Sequence, residues 1–293
     1  MAKYSLLRNR IDAVSQDFGI ELQSASAAND EQLLLVHTQD YLQKVVTGNL
    51  SPLEIRRLGF PWSEKMVIRS RHSTGASIDA GRMALVDRVS GNLAGGTHHS
   101  FANSGQGYCV FNDVCVAIRV LQSEGLIKNA LVVDCDVHQG NGTASIANND
   151  DSIFAFSMHC DKNYPFQKTD GDFDVALPPG TGDKEYLNSL ANSLDEICVN
   201  FSPDLIFYLA GADPYIDDRL GHLSLTKMGL KRRDELVFEF ATSAQIPISF
   251  CMAGGYAANV KDIVDIHFST VEVALAHHLN RETLGQTPGN LDS

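Results

Sequence analysis

The stretch ALVVDCDVHQGNG, Ala130–Gly142, decides the fold. It opens with four apolar residues in a row and no alternation, the pattern of a short strand buried on both faces of a parallel sheet. The run then breaks into Asp134, Asp136 and His138. In an extended chain alternate residues share a side, so these three point one way and Cys135 and Val137 the other. Three polar groups where an apolar strand ends are costly unless they are paired or bound to a cation. A carboxylate and an imidazole two residues apart make half of a divalent-metal site. The alternative is that the aspartates cap the next helix and His138 packs in a loop.

Working outward, the same texture recurs in SIFAFSMH (Ser152–His159), DLIFYLAGAD (Asp204–Asp213) and IPISFCMAGGY (Ile246–Tyr256). Helical periodicity fits Phe111–Glu124, Asp183–Phe201 and Thr226–Ser243, and the chain from Met1 to about Val89 reads as largely helical. No repeat or linker interrupts it, so one domain is expected over residues 1–280, followed by a polar tail, 281–293, with fraying expected from His278 onward. Open α/β sheets bind ligands at the carboxyl ends of their strands. Four such ends carry Asp134-Asp136-His138, His159, Asp213 and Gly254-Gly255-Tyr256. Asp213 is a candidate third ligand, and three protein ligands with an open position define a catalytic divalent site.

Two further signals sit on glycine-rich turns. GGTHH ends in His98 and His99, which suit a base and an acid beside such a site, or else form a surface pair. AGGY places Tyr256 after two glycines, where its hydroxyl can donate to a developing oxyanion, or else it is a core tyrosine after a turn. The pair His277-His278 reads as solvated helix surface.

Composition narrows the class. Of 293 residues 44% are hydrophobic and 20% charged, enough apolar surface to exclude disorder for the bulk of the chain. No run approaches the roughly 18 apolar residues of a membrane span. Asp and Glu outnumber Lys and Arg by 36 to 23; the net charge of −13 argues against nucleic acid as a direct partner. MAKYSLLRNR has no apolar stretch typical of a secretory signal. Cys109, Cys115, Cys135, Cys160, Cys198 and Cys251 form no CxxC pair and read as reduced thiols of a cytoplasmic protein.

The stretches AGGTHHSFANSGQGYCVFND, VVDCDVHQGNGT, FSMH, LAGADP and MAGGY, in this order, resemble the zinc-dependent histone deacetylase family of the arginase/deacetylase superfamily. DRLGHLSLTKMGLKRRDELVF and Tyr164-Pro165 look like its class IV branch and bacterial-type members. The resemblance implies a three-layer α/β/α fold with a large, mostly parallel sheet. It implies that Asp136, His138 and Asp213 hold the metal, that His98 and His99 are the tandem active-site histidines, that Asp134 orients His98, and that Tyr256 polarises the substrate carbonyl. Gly107, Tyr108, Tyr164, Gly254 and Gly255 correspond to the substrate tunnel; Tyr108 stands where phenylalanine is usual, which makes the wall more polar. Asn141 takes the place of a carboxylate that faces the second histidine in some relatives. A structural K+ or Na+ is implied at Asp134, Asp136, His138, Ser157 and Met158, partly through backbone oxygens. Zn2+ suits the metal set, with Fe2+ or Co2+ as alternatives for so oxygen-rich a site. Relatives of this type carry a further segment upstream of MAKYSLLR; either the recorded start is late, or a more open pocket mouth and a sheet lacking a strand are expected.

The implied reaction is metal-dependent hydrolysis of an amide, removing an acetyl or longer acyl group from a lysine-like amine. An acylated polyamine or another small amide is the alternative substrate, and a non-catalytic acyl-lysine or metal-binding module the alternative class. A two-metal ureohydrolase fits less well, because few acidic residues surround DCDVHQGNG. A charge of −13 attracts cationic lysine peptides and polyamines alike.

Overall fold

A computed structural model describes residues 2–285, with side chains to His278. The first 87 residues are helical: Ala2–Asp12 (α1), Ser15–Phe18 (α2), Asp30–Leu34 (α3), Gln39–Thr47 (α4), Pro52–Leu58 (α5) and the long Glu64–Asp87 (α6). Strands and helices then alternate through Val89–Asn92 (β1), Asp113–Ser123 (α7), Ala130–Asp134 (β2), Asn141–Ala147 (α8), Ile153–Cys160 (β3), Phe173–Leu177 (β4), Asp183–Asn200 (α9), Leu205–Leu209 (β5), Lys227–Ser243 (α10), Ile248–Cys251 (β6) and Val260–Gly285 (α11).

All six strands are parallel, in the order β1-β6-β5-β2-β3-β4. Strands β2 and β5 are therefore central, and every residue of both is buried. Alternation along them builds two cores. Leu131, Val133, Ile206 and Tyr208 pack with Tyr186 and Leu190 of α9, Val237 and Phe238 of α10, and Ile266 of α11. Ala130, Val132, Leu205 and Phe207 pack with Ile78 of α6 and Val114, Ile118 and Leu121 of α7. The result is three layers, helix on sheet on helix, with both sheet faces dry. This accounts for the near-continuous apolar runs.

Helix ends follow local chemistry. Asn112 caps α7 through Cys115 N, and Thr226 caps α10 through Gly229 N. Two strands escaped sequence reading. The segment VSGN of β1 has no apolar run, and FDVAL of β4 is a half-exposed edge strand. Helix α11 continues past His278 to Gly285, and residues 286–293 of the expected tail lie outside the described residues. His277 is not a solvated surface residue either: its ring stacks on Phe238 at 5.8 Å and its Nδ1 lies 3.4 Å from Thr242 Oγ1. All six cysteines are free, with only Cys198 exposed.

Candidate metal centre and active site

Strands β2 and β5 are neighbours, with Asp134 in register with Leu209. The loops leaving their carboxyl ends run together, and that adjacency assembles the centre. Ligand atoms of Asp136, His138 and Asp213 lie within 4.8 Å of one another. His138 Nδ1 is 2.9 Å from Asp136 Oδ1 and 3.5 Å from Asp213 Oδ2. Asp136 Oδ2 accepts the Gly254 N–H at 2.8 Å, and Asp213 Oδ1 accepts the Val137 N–H at 2.9 Å. Asp213 Oδ2 is buried and has no hydrogen-bond partner. A carboxylate oxygen aimed unpaired at a second carboxylate and an imidazole is costly without a cation, so the residues fit a divalent ion. The charges agree. Burial, then the Asp136 charge, push Asp213 up to about 6. Burial opposes a charge on His138, but Asp136 and Asp213 outweigh it and push its pKa up to about 10.

The tandem histidines face this triad from the loop after β1, with ring centroids 4.1 Å apart. Asp113, in the first turn of α7, shapes that loop. Its carboxylate accepts hydrogen bonds from Gly96 N, Thr97 N, Thr97 Oγ1 and Ser77 Oγ at 2.5–3.1 Å. His98 Nδ1 donates to Asp134 Oδ2 at 2.6 Å, leaving Nε2 3.9 Å from Asp136 Oδ1. His99 Nδ1 meets Asn141 Oδ1 at 2.8 Å. An amide oxygen only accepts, so His99 carries its proton on Nδ1 and keeps the Nε2 lone pair free. Burial alone would lower both pKa values. For His98 the carboxylates of Asp134 and Asp136 win and push it up to about 9. For His99 burial prevails, reinforced by His98 and His138, and holds it well below the ordinary value. One ring is thus set up as a cation and the other as a neutral base.

A cavity of about 610 Å³ opens onto these groups. Gly107 has φ +55°, and a Cβ there would lie 2.5 Å from His99 Cδ2 and 3.1 Å from Tyr164 Cε1. A glycine is required for the Tyr164 ring to meet His99 edge-on at 4.8 Å. Tyr108 stacks on Phe60 at 6.1 Å and lies 6.0 Å from the Tyr256 ring. Tyr256 is held by its backbone, with N–H to Asp218 Oδ2 at 2.5 Å and its carbonyl accepting from Arg219 Nε at 3.0 Å. Burial raises its hydroxyl pKa further above the ordinary phenol value, so it stays a proton donor.

The sequence-predicted residues separate by position. His98, His99, Asp136, His138, Asp213, Gly107, Tyr108, Tyr164, Gly254 and Tyr256 share the cavity. Asp134 and Asn141 lie behind the histidines. Gly255 departs from the tunnel expectation: it packs behind the wall, where a Cβ would meet Ala212 and Ile263. The β2–β3 register sets Ser157 beside Asp134, with buried Met158 next in line. His159, at another strand end, stands apart; it contacts Ser157 Oγ at 3.1 Å and Asp174 at 3.8 Å.

Sequence reading missed two supports, Asp113 and Arg233. Arg233 is fully buried, and its Nη1 donates to the carbonyls of Gly211 at 2.5 Å and Cys135 at 3.3 Å. These carbonyls precede Asp213 and Asp136 in the chain, so one guanidinium ties together both ligand-bearing loops. Its charge is met by Asp234, which also accepts from Tyr208 Oη at 2.5 Å and Thr270 Oγ1 at 2.6 Å. In sequence Arg233-Asp234 is indistinguishable from an exposed helical charge pair.

A three-layer α/β/α fold with a buried catalytic-type metal triad, two histidines of opposite protonation bias and a tyrosine donor defines a metal-dependent hydrolase. The family model for the histone deacetylase domain matches residues 2–271, and the chain belongs to that family. It is 44% identical over 235 residues to an uncharacterized protein of Picosynechococcus sp., covering 80% of this chain and 78% of the relative. It is 31% identical to histone deacetylase 2 of Arabidopsis thaliana, over 78% of this chain and 62% of that protein. A crystal structure of an HDAC homolog complexed with SAHA superposes with a TM-score of 0.78 at 26% identity, covering 92% of this chain and 77% of that one. Among the described residues no helix is long and apolar enough to cross a membrane.

Proposed function

We propose that this protein is a zinc-dependent deacylase of the class IV, bacterial type that hydrolyses the amide of an acyl-lysine side chain in a peptide or protein. The observation that carries the reading is the convergence of the Asp136-His138-Asp213 triad, the unequal histidines and Tyr256 on one cavity. Zn2+ held by the triad would supply Lewis-acid polarisation of the carbonyl and acidify water; Fe2+ and Co2+ suit the same donors.

The chain's own groups divide the remaining work. His99 Nε2, neutral and unprotonated, takes a proton from the attacking water. His98, held as imidazolium by Asp134, places positive charge beside the negative charge that develops on the substrate oxygen. The Tyr256 hydroxyl donates a hydrogen bond to that oxygen. The proton on His99 then passes to the leaving amine. Tyr108 and Tyr164 flank the aliphatic stem of the lysine. A K+ or Na+ near Asp134 and the Ser157–Met158 backbone would further fix the β2 and β3 ends.

An acylated polyamine fits less well. Apart from Asp136 and Asp213, no carboxylate among the described residues lines the cavity to receive a second ammonium. A non-catalytic module fits less well too, since binding alone requires no neutral base. The test is amine release from acyl-lysine peptides by the zinc-loaded protein. Turnover abolished by a chelator and restored by zinc supports the reading; absence of turnover with Zn2+, Fe2+ and Co2+ alike removes it.

A further inference from the structure

The protein carries net charge −13, yet its cavity is lined by Lys3, Arg57, Arg69 and Lys162 and, among the described residues, by no carboxylate beyond the triad. Lys162 is neutralised by Asp161 at 2.7 Å. Lys3, Arg57 and Arg69 have no carboxylate within ion-pair distance among the described residues. Two of these cations share one aromatic ring. Lys3 Nζ lies 5.1 Å and Arg69 Cζ 5.3 Å from the centroid of the same Tyr4 ring. Lys3 also reaches over the Tyr256 ring at 5.5 Å and donates to the carbonyls of Ala253 at 3.4 Å and Gly255 at 3.3 Å. Between those two residues sits Gly254, whose N–H binds Asp136. Lys3 thus holds the carbonyls on either side of the residue that binds the metal triad.

The scissile amide must lie at the triad, so the amine stem and the acyl group leave it in different directions. Phe60, Tyr108, Tyr164 and Phe166 line the cavity and suit an aliphatic lysine stem. Tyr4, Ser73, Ala94, Lys3 and Arg69 line the same cavity and are left for the acyl group. We infer that the acyl group taken by this site ends in a carboxylate, as in a short dicarboxylic acyl such as succinyl or glutaryl, bound by Lys3 and Arg69. This rests on the deacylase reading and specifies its substrate class. An acyl chain of about four or five carbons is about one peptide unit long and would carry its far carboxylate past Gly254 toward Lys3 and Arg69. The chemistry balances as ordinary hydrolysis. The C–N bond breaks, the hydroxyl of water joins the acyl carbon and its other proton goes to the amine; the new carboxylic acid then gives its proton to the amine, so a dicarboxylate and an ammonium leave. Cations without counter-ions also disfavour lysine-rich peptide on that side.

The test compares peptides of one sequence carrying succinyl-lysine against butyryl-lysine, and glutaryl-lysine against pentanoyl-lysine, with the zinc-loaded full chain. The carboxylated member of a pair should have the higher kcat/KM by about tenfold, the size of one charge-assisted hydrogen bond, and the advantage should shrink in high salt. In Arg69→Gln the ratio should fall several-fold. Turnover of the neutral peptides with no advantage for the carboxylated ones overturns the inference and leaves the deacylase reading intact. If no peptide is turned over with Zn2+, Fe2+ or Co2+, the deacylase reading fails, and fluorescence anisotropy of the labelled peptides decides the inference alone. Tighter binding of the carboxylated peptide that Arg69→Gln removes would sustain it, and equal binding would overturn it.

Discussion

A single methyl group at Gly254 should disable the centre without unfolding the protein. Built on the present backbone, an alanine Cβ there would lie 1.8 Å from Asp213 Oδ2 and 2.6 Å from Asp136 Oδ2. Neither carboxylate can swing aside freely. Asp136 Oδ2 is held by the Gly254 N–H, and Asp213 Oδ1 by the Val137 N–H. Ordinary contact starts near 3.4 Å, so Asp213 must retreat by well over an ångström. A displacement of that size from reacting geometry costs about 100-fold in rate, and the ligand atom also leaves coordination distance. Gly254→Ala should therefore lose zinc on dialysis and lose at least that factor in kcat/KM. Its far-UV circular dichroism should stay near wild type, because Gly254 lies outside the strands and helices. Metal content by atomic emission and amine release from an acyl-lysine peptide give the two readouts. A variant that keeps one zinc per chain and near-wild-type kcat/KM would show that Asp213 is not held where the metal needs it.

Other expectations follow from neighbouring groups. Asp134→Asn removes the charge that, against burial, keeps His98 protonated; activity that needs the imidazolium is lost as pH rises through its pKa, so the alkaline limb of the kcat/KM profile should move down by about one to three pH units. Metal must displace the proton that Asp136 and Asp213 hold on His138 up to about pH 10, so zinc affinity, measured by competition with a chelator of known pH dependence, should climb by up to about tenfold per pH unit between pH 6 and 9. A flat profile would mean that His138 is already neutral. Asp234→Asn leaves the Arg233 guanidinium buried without its counter-charge and should cost about 3–5 kcal/mol in urea denaturation, whereas a joint change of Arg233 to Met and Asp234 to Leu should cost less.

The central strands and the metal ligands were legible in sequence because one cause produces both signals. A strand buried on two faces must be apolar, so the first polar residues after it mark the sheet's carboxyl edge, where Asp134, Asp136 and Asp213 stand. The edge strands β1 and β4 were not legible, because half-exposed short strands carry neither an apolar run nor clean alternation. Local motifs also placed His98, His99 and Tyr256 in the cavity. They did not decide which histidine is neutral. That depends on Asp134 and Asn141, which reach the rings only through tertiary contacts. Charge was misleading at short range: a chain of net −13 lines its cavity with cations, since composition averages over a surface on which a few side chains face the site. His277 looked exposed for a similar reason; the face it presents is fixed by α10, which is remote in sequence.

The Arg233–Asp234 pair bears on how this chain can drift over generations. Neither residue touches a substrate, and either one alone is a buried charge, so losing the first makes the second a liability before any repair can occur. Replacement of the pair must pass through a poorly folding intermediate or through prior changes at Tyr208 and Thr270 that make the loss tolerable. Lineages that cross that barrier should have changed all four positions together. Those that have not should hold the two loops behind the metal in fixed register, even where the cavity walls diverge freely.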